Sequence, residues 1–161
     1  MPTIYERVTL LFNEHQIHYS EQEHHHDGNG INVAQFHDLD ERCGAKAIVV
    51  QLKKPDSFCL AVLPFDRKLD TKALQKLIGA KGASFAKLDI SETITECVSG
   101  SIPPFSFHSD LLLIVDNAIK ENQKIFFNVG RLDRSVAINT SDYCKLVSFA
   151  LFADISKSKM E

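Results

Sequence analysis

The longest apolar run in the chain, Leu111–Val115, is only as long as one buried strand. No run approaches the roughly 20 residues of a membrane-spanning helix. A core must therefore be assembled from short segments separated by turns. With 161 residues the chain is long enough to do so as one domain over 1–161, with a small, charged tail expected to fray from about Ser156.

The segments alternate in type. Thr3-Ile-Tyr-Glu6 reads as a capping box, and Ile4, Val8, Leu11 and Phe12 recur at helical spacing, which predicts a helix over Ile4 to His15. A strand is expected over His18 to Glu23, followed by the irregular polar stretch His24 to Gly30. Ala45 to Leu52 and Phe58 to Leu63 read as paired strands around a Lys-Pro-Asp-Ser turn. Asp70 caps a helix whose apolar face is Ala73, Leu74, Leu77 and Ile78, and Gly79 ends it. A short helix near Asp89 to Thr95 precedes strands at Leu111 to Val115, Lys124 to Val129 and Ser135 to Asn139. An amphipathic segment then runs from Asp142 to about Phe149. Strand runs punctuated by separate helices predict an α+β fold.

Charge and cysteine usage narrow the function. A net charge of −3 argues against nonspecific nucleic-acid binding, although 18 Lys and Arg leave room for a local basic patch. Cys43, Cys59, Cys97 and Cys144 form no C-x-x-C pair, which suits reduced thiols in a cytoplasm. The charged start, Met1 to Arg7, lacks a cleavage site, so no signal peptide is expected. His24, His25, His26 and His37 do not have zinc-site spacing, and no metal is predicted. Neither P-loop, Rossmann fingerprint nor G-x-S-x-G elbow occurs.

Three places could carry chemistry. Lys46 shares a strand face with Ile48, Val50 and Leu52, so it either snorkels to water or meets an anion at a pocket rim. Gly100-Ser-Ile-Pro-Pro104 is a stiffened loop that is either a surface turn or a cradle whose amides hold a carbonyl. In Phe126-Phe-Asn-Val-Gly130, Phe126 and Asn128 face away from Phe127, and Asn128 either bonds a ligand or pins the next turn.

Together these segments resemble the YbaK/EbsC family, the prolyl-tRNA synthetase-associated editing domain, over about His18 to Ile155. Gly44-Ala-Lys-Ala-Ile-Val49 is similar to the family's lysine strand, and Ala61 to Asp70 to its strand and helix entry. Lys81 to Ala86 is similar to the segment after that helix, Gly100 to Pro104 to its G-x-x-x-P loop and Phe127 to Gly130 to its last pocket strand. The resemblance implies a mixed, partly barrel-like β-sheet with flanking helices. It implies a trans-acting deacylase that hydrolyses the ester of a mischarged tRNA, such as alanyl- or cysteinyl-tRNA for proline, without metal or organic cofactor. The alternative is a non-catalytic module that binds tRNA ends or a synthetase. Partners would be the tRNA acceptor end and a synthetase, in the cytoplasm and away from membranes. Lys46 would engage the terminal adenosine or its phosphate, and the Gly100 and Ser101 amides the aminoacyl carbonyl. Ile102, Pro104, Phe105, Asn128 and Gly130 would line the amino-acid pocket. The chain departs from the family's usual residues at Glu96 and Asp38, where glycines are common, at Ser106, and over Asn29–Ala34.

Overall fold

The structure, a computed structural model, describes residues 1–25 and 30–160. In chain order the elements are α1 (Ile4–Glu14), β1 (Tyr19–Glu23), α2 (Gly30–Phe36), β2 (Ala45–Lys53), β3 (Ser57–Pro64) and β4 (Arg67–Leu69). Then come α3 (Thr71–Ile78), β5 (Gly82–Phe85), α4 (Leu88–Thr95), β6 (Leu111–Asp116), β7 (Lys124–Asn128) and β8 (Arg134–Asn139). The chain ends with α5 (Thr140–Leu146), β9 (Leu151–Ala153) and β10 (Ser156–Ser158).

Local chemistry sets the helix boundaries. The capping box at Thr3 and Glu6 is formed in both directions. The Asp70 carboxylate accepts from the Ala73 N–H at 3.1 Å, and Gly79 closes α3 in the left-handed conformation. The same turn ends α2 and α4 without glycine: Asp38 has φ 57° and Glu96 φ 58°. These are two of the positions where the resemblance leads one to expect glycine, and a residue with a side chain adopts this conformation at some cost.

Among the described residues the strands form three sheets, and the architecture is mixed α+β without a closed barrel. The largest has the order β5-β2-β3-β6-β9, antiparallel through β3 and parallel from β3 to β6 and β9. A second, β1-β8-β7, is antiparallel and touches the first through a parallel bridge between Gly44 and Phe126. The main core fills the space between them: Ala45, Val49, Leu60 and Val62 meet Ile125, Phe127 and Val129, with Val8 and Phe12 of α1 behind. The opposite face of β2 and β3 packs Val50, Leu52, Ala61 and Leu63 on Leu74 of α3. A small third cluster joins Ala34 and Cys43 to Phe126 and Ala137.

The chain end differs from expectation. Ser156–Ser158 does not fray but pairs with Arg67–Leu69, because Ile155 before it is fully buried. The irregular stretch expected over His24 to Gly30 lies partly outside the described residues, and its last residue begins α2. The cluster His24–His26 is described only for His24 and His25.

Candidate functional site

Lys46 enters from β2 on the face it shares with Ile48, Val50 and Leu52, as strand parity requires. Its ammonium is half-buried and donates to the Phe65 carbonyl at 3.4 Å. Burial pushes its pKa down first, the charge of Lys159 adds to that, and Asp66 and Glu41 oppose it. The Phe65 ring packs edge-on against Phe126, with centroids 5.3 Å apart. Gly44 makes this contact possible, since a Cβ there would fall 2.6 Å from Phe65 and 2.8 Å from Phe126.

Phe126 and Asn128 share the other face of β7 from Phe127. Asn128 donates its Nδ2 to the Gly100 carbonyl at 2.7 Å. This ties the β7 end to the glycine loop: Asn128 fixes a loop, though a distant one and not the turn that follows it. Its Oδ1 is buried and has no partner among the described residues. Lys46, Phe65, Phe126, Asn128 and Gly100 thus form a continuous line, with a cation at one end and a loop at the other.

The loop is narrower in its chemistry than expected. Gly100 has φ +89°, a conformation that favours glycine, and is exposed. The neighbouring Ser99 N–H is taken by Glu92 Oε2 at 2.9 Å. Ser101 is fully buried, and its N–H and hydroxyl both donate to the Val98 carbonyl, at 3.0 and 2.6 Å. A two-amide cradle from Gly100 and Ser101 is therefore corrected to one: the Gly100 N–H alone is without a partner among the described residues.

Other expected pocket residues belong to the frame. Ile102 and Phe105 are buried in the main core, where Phe105 packs edge-on with Phe12, Phe127 and Tyr143. The Pro104 carbonyl accepts the hydroxyl of fully buried Tyr143 at 2.8 Å. Gly130, at φ +82°, donates its N–H to the Ser101 carbonyl at 2.7 Å, and a Cβ there would lie 2.9 Å from Ile4. These residues hold the loop and α1 in place.

Sequence reasoning missed His24, His37 and Ser135. Ser135 pairs with Asn128 across β7 and β8, is fully buried, and receives both imidazoles at its hydroxyl: His24 Nε2 at 2.9 Å and His37 Nε2 at 2.6 Å. His37 stacks on Phe126, and burial followed by the charge of His24 pushes its pKa down to about 4. The Ser135 hydroxyl can give its proton to one imidazole and accept from the other, or accept from both. The Nδ1 atoms of both rings are buried without a partner among the described residues. A polar Ser135 alternating with Val136 in a strand was the available signal.

The profile of the aminoacyl-tRNA editing domain matches residues 31–146. The chain belongs to this family. Its curated relatives include the multifunctional Ser/Thr-tRNA deacylase ProXp-y of Escherichia coli strain K12 and its counterpart in strain O157:H7. Each is 41% identical over 106 residues, and the match spans 64% of this chain and 64% of the relative. Among solved structures, the hypothetical protein APE2540 superimposes with TM-score 0.83 at 18% identity, covering 94% of this chain and 100% of that one. Another, carrying the provisional description of a trans-editing enzyme for prolyl tRNA synthetase, gives 0.82 at 16% identity over 98% of this chain and 99% of that one. At such identities the structures establish the fold alone.

Proposed function

We propose that this editing domain is an aminoacyl-tRNA deacylase acting in trans, and that its site is the line from Lys46 to Gly100. The observation that carries the reading is the set of polar groups along that line that retain bonding capacity. An aminoacyl ester presents a carbonyl for the Gly100 N–H, an ammonium for Asn128 Oδ1, and a phosphorylated terminal nucleotide for Lys46. Buried polar atoms without partners are rare in native proteins, and a ligand that completes them explains Asn128 Oδ1.

The chemistry asks little of the protein. Water adds to the ester carbonyl, the oxygen becomes an oxyanion, and the ribose oxygen leaves with a proton. One well-aimed donor to that oxyanion contributes about 2.7–4 kcal/mol, and fixed positioning can contribute more. The Gly100 N–H is the candidate donor, held in orientation by the grip of Asn128 on the Gly100 carbonyl.

We assign seryl and threonyl esters as the first substrates, ahead of the alanyl and cysteinyl esters of tRNA for proline that the sequence suggested. The relatives are named for serine and threonine. The buried polar group beside Asn128, formed by Ser135, His24 and His37, also suits a side chain that hydrogen-bonds. A site built to bond a hydroxyl rejects its apolar analogue strongly, whereas an apolar pocket discriminates little. A deacylation panel with seryl-, threonyl-, alanyl- and cysteinyl-tRNA tests this. We expect kcat/KM for the hydroxyl amino acids at least tenfold above alanine; equal rates on all four contradict the substrate assignment. Binding of tRNA with no hydrolysis of any ester contradicts the enzyme.

A further inference from the structure

Buried polar atoms without partners are concentrated around Asn128. Ser135 stands opposite Asn128 across β7 and β8, so both side chains rise from the same face of the sheet. Phe126, two residues before Asn128, shares that face. His37 lies on it from the turn after α2. Its ring stacks on Phe126 with centroids 5.6 Å and planes 21° apart, and its Nε2 reaches the Ser135 hydroxyl at 2.6 Å. His24 meets the same hydroxyl at 2.9 Å and stacks in turn on Phe36. Among the described residues five buried side-chain polar atoms have no partner, and three of them belong to this cluster: Asn128 Oδ1, His37 Nδ1 and His24 Nδ1. Such atoms are rare in native proteins, and three together mark a place for a group that bonds.

The protons of the cluster define that group. If Ser135 gives its proton to His37 Nε2, the His37 Nδ1 carries a hydrogen and is a donor. If Ser135 accepts from His37, that Nδ1 is an acceptor. His37 is neutral near pH 7, since burial and then the charge of His24 push its pKa down to about 4, so it does not present both hydrogens at once. A group that both donates and accepts satisfies either state. A hydroxyl does so, whereas an ammonium only donates, a methyl does neither and a thiol does both weakly. The ammonium of an aminoacyl ester is already matched to Asn128 Oδ1, which leaves a side-chain hydroxyl for the imidazole. Of the two rings, His37 is the one within reach. It is half-buried, while His24 is 7% exposed and lies against Phe36.

We propose that His37 sets the substrate class of this site by bonding the side-chain hydroxyl of a seryl or threonyl ester at Nδ1, its ring turning about its side-chain bonds as the ligand enters. The inference rests on the deacylase reading for the ester. Ser135 and Phe126 hold the ring, and the selection is made at the free nitrogen.

The two amide isosteres of histidine separate its nitrogens. Glutamine carries its amide at the reach of Nε2 and keeps the bond to Ser135; asparagine carries it at the reach of Nδ1. Deacylation of seryl- and alanyl-tRNA is measured near neutral pH for the wild type, His37→Gln and His37→Asn, and the ratio of the two kcat/KM values is the readout. A fault in folding lowers both rates and leaves their ratio alone. The ratio should fall about tenfold or more in His37→Gln and stay within about threefold of wild type in His37→Asn. An unchanged ratio in His37→Gln overturns the proposal. So does an equal collapse in both variants, which removes Nδ1 from the selection. Binding of the amide-linked, non-hydrolysable seryl- and alanyl-adenosines is read in parallel, and a wild type that prefers seryl in neither assay overturns the proposal too. If the wild type hydrolyses neither ester but prefers the seryl amide in a His37-dependent way, this inference stands and the deacylase reading falls. If it hydrolyses the esters with a ratio indifferent to His37, the reading stands and this inference falls.

Discussion

Asn128 commits its nitrogen to the Gly100 carbonyl and leaves its oxygen uncommitted. Asn128→Asp keeps the shape but removes the donor, and sets a carboxylate against the Gly100 carbonyl. The loop should shift, and a displacement of about 1 Å at a reacting group can cost a hundredfold. We expect kcat to fall about that much while circular dichroism stays unchanged; a wild-type rate would show that the grip has no catalytic purpose. Gly100→Ala is a poorer probe. At φ +89° an alanine strains the backbone even though its methyl would meet only Leu132, at 3.6 Å. Asp38 offers the converse experiment. It is exposed, sits at φ 57°, and closes α2 with the Leu39 N–H on the Ala34 carbonyl at 3.0 Å. Asp38→Gly removes the penalty of a left-handed side-chain residue and should stabilise the protein by up to about 1 kcal/mol, raising the thermal midpoint by a few degrees. A lower midpoint would mean that the Asp38 side chain contributes to the cap.

The elements most legible in the sequence are those whose chemistry is local. Thr3 with Glu6, Asp70 with Gly79, and the parity of Ile48, Val50 and Leu52 fixed α1, α3 and β2 within a residue or so of their ends. β4, β9 and β10 are too short for a period to show, and exist because distant chain segments offer them partners. The site was legible in the same measure. Parity placed Lys46 and Asn128 on their faces, but the bond from Asn128 to Gly100 spans a sequence distance that no local pattern encodes. Burial of Ile102 and Phe105 depends on α1 and Tyr143, both remote in sequence. The histidines that close on Ser135 come from the end of β1 and the turn after α2, and they leave a thermodynamic signature. His37 titrates near 6.5 when unfolded and about 4 when folded, so unfolding takes up a proton between those values. Its contribution to stability is full above pH 6.5 and is lost as pH falls toward 4. Denaturant unfolding across that range should show a steeper loss in wild type than in His37→Gln. Parallel slopes would mean that His37 is protonated in the folded protein.

At the scale of the whole molecule, two sheets enclose one core and leave the site on their outer junction, where the bridge from Gly44 to Phe126 joins them. Phe65 and Phe126 cover that junction, Lys46 ends it on one side, and Asn128 with Gly100 ends it on the other. Among the described residues no helix is long and apolar enough to cross a membrane. The match covers 64% of the length of the curated relatives and leaves their remaining parts unmatched, so activity must be measured on this protein itself. The decisive experiment is single-turnover hydrolysis of seryl-tRNA by the wild type beside Lys46→Met, which keeps an apolar stem and removes the charge. We predict hydrolysis well above the spontaneous rate for wild type and at least a tenfold loss for the variant, with folding unchanged. A wild type that fails to accelerate hydrolysis, or a Lys46→Met protein that keeps the full rate, contradicts the assignment of this site.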